Sequence, residues 1–179
     1  ASSTSPGSGA ATAALAVANA AAAPVHVIGP LSTVNDRIRA VDSSDRSVRD
    51  QAMRNLRREV LDDGHLPAIL TLVQSGDWNV AKHGVELLGR IPTAEATNQL
   101  VGLLEPAFLH LKDDVRRQLR HRRWTNENLP ALHRLSEGLP ENHSFVYGAL
   151  VTIRSPQATR ALIQLFGRVE DGFFRFRLL

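Results

Sequence analysis

The sequence predicts an all-α fold: a right-handed α-solenoid of about four helical hairpins, preceded by an extended Ala-rich N-terminal arm. Three observations predict it. Apolar residues recur at helical spacing along residues 33–170, no stretch alternates in the manner of a strand, and one apolar pattern returns about every 31 residues. Ile69, Leu100, Leu132 and Leu162 stand 31, 32 and 30 residues apart, and Leu72, Leu103, Leu135 and Leu165 keep the same spacings. A unit that short holds two helices and two turns, each helix too narrow to bury its apolar stripe without a neighbour. Stacked units share one continuous core.

Residues 1–32 read as an uncharged Ala/Ser-rich arm, the first charged residue being Asp36. From Ala1 to Ala23 only Leu15 and Val17 are larger apolar groups. Such a chain favours helix but buries too little to fold alone, so it is expected to become ordered by lying on a partner surface or on its own domain. Ala18-Asn19-Ala20 resembles a cleavage site, but the segment before it is too weakly apolar for the core of a signal peptide. The absence of an initiator Met and the trimmed look of the arm favour a processed organellar (mitochondrial) or exported bacterial chain over a cytoplasmic one.

The repeat domain spans residues 33–170. Val34, Ile38 and Val41 share one helical face, and Val48, Ala52, Met53, Leu56 and Val60 form the face of a longer helix that Ser47 and Asp50 open as a capping box. Asp62-Asp63-Gly64 breaks that helix, and Pro67 opens the next, with Ile69, Leu70, Leu72 and Val73 as its stripe. Ser75-Gly76-Asp77-Trp78 turns the chain again. Thr93 and Ser155 stand where helix N-caps are needed, and Pro156 follows at the favoured first helical position. Residues 171–179 form a separate aromatic and basic tail.

LTLVQSGDWNVAKHGVELLGRI, from Leu70 to Ile91, carries an apolar helix end, a small acidic turn and a helix closing on Leu-Gly-x-Ile. The segment from Arg37 to Leu56 repeats the scheme with Asp45, Val48, Arg49, Ala52 and Leu56 in place. LKDDVRRQL from Leu111 keeps the turn and helix start, whereas ENHSFVYGALVTI from Glu141 keeps only the apolar positions. These residues resemble the HEAT-like repeats, in particular the short kind of phycobilisome-lyase-like proteins. The resemblance implies scaffolding and binding surfaces and names no activity.

Composition excludes several chemistries. With no cysteine, the chain has no disulfide, Cys-ligated zinc, iron–sulfur cluster or thiol nucleophile. It contains no run of some twenty strongly apolar residues for a membrane span. There is no GxSxG elbow, phosphate-cradling glycine loop or dinucleotide fingerprint, and none of the seven histidines stands in a HExxH arrangement. His133 fills the repeat position of Leu70, Val101 and Ile163 and reads as a core or groove residue; His83, His121 and His143 read as helix-surface residues. The pairs Asp62/Asp63 and Asp113/Asp114 suit turns and helix starts. No catalytic residue, metal ligand or cofactor is expected.

Two segments remain as candidate surfaces. Twenty-one basic residues include only two lysines, Lys82 and Lys112, which leaves 19 arginines. That preference reflects either GC-rich coding or a use of the planar guanidinium fork. The densest cluster is DDVRRQLRHRRW, where Leu111, Val115 and Leu119 make a buried stripe and Arg116, Arg117, Arg120 and Arg123, with Trp124, offer an anion or partner surface. The alternative is a solvated face of an ordinary repeat helix. The tail concentrates Phe173, Phe174, Arg175, Phe176 and Arg177, which either cover the open end of the last repeat or dock on another subunit. The net charge of +3 is small for a nucleic-acid binder. The expected function is therefore a non-enzymatic scaffold or accessory subunit holding other protein subunits in a larger assembly. The runner-up is a nucleic-acid or phosphate-binding repeat protein that uses the arginine face.

Overall fold

The computed structural model describes residues 33–168; the arm over 1–32 and the tail with Phe173, Phe174, Arg175, Phe176 and Arg177 lie outside the described residues. Among the described residues there are nine α-helices and no strand, so the fold is all-α. The first is α1 (Val34–Ala40), whose N-cap Thr33 exchanges bonds with Asp36 in a capping box. The next is α2 (Arg46–Leu56), and here the expected Ser47/Asp50 box is replaced. Asp45 is the N-cap, its carboxylate accepting from the Ser47 N–H at 2.7 Å, while Asp50 faces Arg46. An ionised carboxylate two residues earlier is the stronger acceptor for the open end of the helix. Val60, expected on the buried face, is 89% exposed because α2 has already ended at Leu56.

A 3-10 turn at Asp63–His65 leads into α3 (Leu66–Val73), with Pro67 in its first turn. Asp77 caps α4 (Trp78–Arg90), and Thr93 caps α5 (Ala94–Gly102). A six-residue 3-10 stretch, Pro106–Leu111, then precedes α6 (Lys112–Leu119). Further 3-10 turns at Asn126–Asn128 and Pro140–Asn142 introduce α7 (Leu129–Glu137) and α8 (His143–Ile153). The last helix is α9 (Pro156–Arg168), capped by the Ser155 hydroxyl, which accepts from the Ala158 N–H at 3.1 Å.

Each helix packs on its successor in most cases, as in α1 on α2, α3 on α4, α5 on α6, α7 on α8 and α8 on α9. A second set of contacts skips one helix: α1 meets α3, α4 meets α6, α5 meets α7, and α7 meets α9. The recurring positions define the core. Ile69, Leu100 and Leu132 are fully buried in α3, α5 and α7, and Leu72, Leu103, Leu135 and Leu165 are nearly so. Only Leu162, in α9, is half-exposed. Each buried leucine contributes about 2 kcal/mol of hydrophobic stabilisation relative to exposure.

Side chains also tie one helix pair to the next along the turns. Thr93 donates to the Asp63 carboxylate at 2.6 Å, and Ser155 donates to the Asn126 side chain at 2.6 Å. Asn128, fully buried, donates to the Ala94 carbonyl at 3.1 Å and to Asn98 Oδ1 at 2.8 Å. Its own Oδ1 accepts from the Thr125 N–H at 3.0 Å, so every polar atom of this buried amide is engaged.

Candidate functional site

The four last carbonyls of a helix have no partner within it, and the end carries the equivalent of about half a negative charge. Two arginines answer this need at corresponding places. Arg90, the last residue of α4, donates to the carbonyls of Leu56, Arg57 and Glu59 at the end of α2. Arg122, just past α6, donates to the carbonyls of Leu88 and Ile91 at the end of α4. Each reaches back 34 and 31 residues. The C-terminal ends of α2, α4 and α6 are thereby brought side by side. Burial pulls the Arg122 guanidinium below its ordinary value, and its Nε is buried without an acceptor.

Between the ends of α4 and α6 lies an open cleft of about 370 Å³. Arg90, Arg117, Arg122 and Arg123 line it together with His121, Gln118 and Gly89, and no carboxylate is among the lining residues. Gly89 leaves room for the Gln118 side chain, since a Cβ there would fall 2.1 Å from Gln118 Oε1 and 2.5 Å from its Cδ. Arg117 pairs with Asp114 at 3.3 Å. Arg123 is exposed and has no hydrogen bond or ion pair among the described residues.

The expected arginine face is thus divided. Arg117 and Arg123 line the cleft, but Arg120 is exposed outside it. Arg116 is half-buried on the side of Glu141, whose carboxyl is held below its usual range by a hydrogen bond from Lys112 and, further off, by Arg116. Trp124 is no free stacking platform: it is half-buried against the core and meets Phe145 edge-on at 5.7 Å. Arg90 and Arg122 were outside the predicted set, and the available signal was their separation of 32 residues.

Among the described residues no three histidine, aspartate or glutamate side chains converge as metal ligands. His133 is neither core nor groove but exposed, 3.6 Å from Glu137 on the next turn. Its neighbour Leu132 points into the core, and one residue of helix turns His133 about 100° away from it. His83 and His143 are half-buried rather than surface residues, the latter 3.0 Å from the Ser136 carbonyl, while His121 is exposed as expected. A second cleft, also of about 370 Å³, lies between α1 and α3, but its lining carries Arg39 and Asp42 together and has no single charge character. No helix among the described residues is long and apolar enough to cross a membrane.

No family model matches the chain, and neither the curated proteins nor the solved structures yield a significant match.

Proposed function

We propose that this protein is a non-enzymatic HEAT-like repeat scaffold, a right-handed solenoid of about four helical hairpins that holds other protein subunits in a larger assembly. In this reading α1/α2, α3/α4, α5/α6 and α7/α8 are the hairpins and α9 begins a further unit. The observation that carries it is the pair of arginine staples: Arg90 and Arg122 repeat the same two reaches, 34 and 31 residues, across successive helix pairs. Such ties keep neighbouring units at a fixed angle, as a frame for partners requires. Burial of the same repeat positions in α3, α5 and α7 adds support.

The nucleic-acid reading has less behind it. Asp113, Asp114 and Glu86 stand on the same two helices as the arginines, so an extended polyanion would meet carboxylates along its path. The deciding measurement is the native particle mass with the 260/280 nm absorbance ratio on mildly extracted material. A large particle of fixed protein stoichiometry and no nucleic acid is expected. A free monomer of 19.6 kDa would overturn the scaffold reading.

A further inference from the structure

We propose that the cleft between α4 and α6 is a binding site for one compact phosphoryl dianion, either the free ion or a phosphate monoester. The site stands independently of the scaffold role. Four arginines line a space of about 370 Å³ with no carboxylate in its lining. The local charge is only partly offset. Asp114 answers Arg117 at 3.3 Å, and the ends of α2 and α4, which Arg90 and Arg122 hold, each supply about half a negative charge. With the end of α6 counted as well, about one to two positive charges are left over, which a phosphate dianion matches better than a single carboxylate does.

The donors also differ in readiness. Arg90 and Arg122 are fixed by the helix carbonyls they serve, so they form a rigid wall whose orientation costs nothing further on binding. Arg123 is exposed and unpaired among the described residues, and His121 stands beside it as a further nitrogen donor. The planar fork of Arg123 can close over two oxygens of a tetrahedral anion already seated against the wall. The cleft is of a size for a small ligand, not for a length of polymer.

The test is a calorimetric titration of the full chain at constant ionic strength with inorganic phosphate and with phenyl phosphate. Penta-glutamate and a short oligothymidylate serve as competing probes. Saturable binding of phosphate at one site per chain is expected, weakened about tenfold in Arg123→Gln and in Arg117→Gln. Arg120→Gln, outside the cleft, should stay within about twofold of the parent. Arg123 touches no described partner, so its variant keeps the fold, which circular dichroism verifies. Tighter binding of phenyl phosphate identifies a monoester as the ligand, and equal binding identifies the free ion; both support the site. No saturable uptake of either phosphate, equal weakening by Arg120→Gln, or tighter binding of penta-glutamate or oligothymidylate would each overturn it.

Discussion

The Nη2 of Arg122 donates to the Leu88 carbonyl at 2.8 Å, across 34 residues of chain. A second bond from its Nη1 goes to the Ile91 carbonyl. One guanidinium thus serves two acceptors at the end of α4. Arg122→Ala should lower the stability of the fold by about 3 kcal/mol, since a charged donor to two carbonyls is lost and a cavity is left. Arg122→Lys should recover less than half of that, because one ammonium cannot reproduce the fork. Urea unfolding of both variants reads the difference.

Gly84 and Gly89 lie in the same helix and should respond differently to alanine. At Gly84 a Cβ would stand 2.8 Å from the Val73 backbone nitrogen, so α3 and α4 must separate. Gly84→Ala should cost about 2 kcal/mol through overpacking. At Gly89 the obstruction is the Gln118 side chain, which can turn away. Gly89→Ala should leave stability within about 0.5 kcal/mol, with helix propensity offsetting the displacement. Paired thermal melts check the contrast, and similar losses at both positions would refute it.

Glu86 gives the acid limb of the stability profile. His83 beside it and a bond from Arg57 Nε at 3.1 Å hold its carboxyl down at about 2, against an ordinary 4.5. The His83 Nδ1 stands 3.8 Å away, so Arg57 makes the shorter contact. A depressed carboxyl contributes stability that is full above about pH 4.5 and is lost as pH falls towards 2. Glu86→Gln should therefore flatten the decline of the urea midpoint across that window, and an unchanged profile would show that Glu86 does not contribute.

Asn128 is a buried amide with all its atoms engaged. Asn128→Ala leaves the Thr125 N–H and the Ala94 carbonyl without their partner and should cost about 2–3 kcal/mol. Asn128→Asp keeps the acceptor to Thr125 but sets a buried carboxylate oxygen against the Ala94 carbonyl and Asn98 Oδ1, and should cost at least as much as alanine in equilibrium unfolding at neutral pH.

Arg154, which ends α8, is the only non-glycine residue with a positive φ among the described residues, at 51°. Holding an L side chain in the left-handed region costs about 1 kcal/mol. Arg154→Gly should raise stability by about that amount in the same unfolding assay.

Much of the helical layout was legible because burial imposes a period. Ile69, Leu100 and Leu132 must all reach one core, and that requirement writes itself into spacing. The N-caps Thr93 and Ser155 were legible for a related reason, since a hydroxyl before a helix has few other uses. The cap at Asp45 was missed by two residues because Ser47 and Asp50 satisfy the same pattern on paper. The cleft was half-legible. Arg117 and Arg123 lie in a visible basic run, but Arg90 comes from the preceding helix pair, and only the packing of α4 on α6 brings it there. Trp124 misled for a similar reason: an aromatic next to arginines looks free until Phe145 arrives from α8.

Both arginine staples point the same way along the chain, from a later residue to carbonyls made earlier. During synthesis, the end of α2 therefore gains its closing contact only once Arg90 has left the ribosome, and the end of α4 only after Arg122 follows. Each staple thus closes a helix end that was synthesised before it. A chain truncated just before Arg122 should release a particle in which the end of α4 is frayed while the end of α2 is already locked by Arg90.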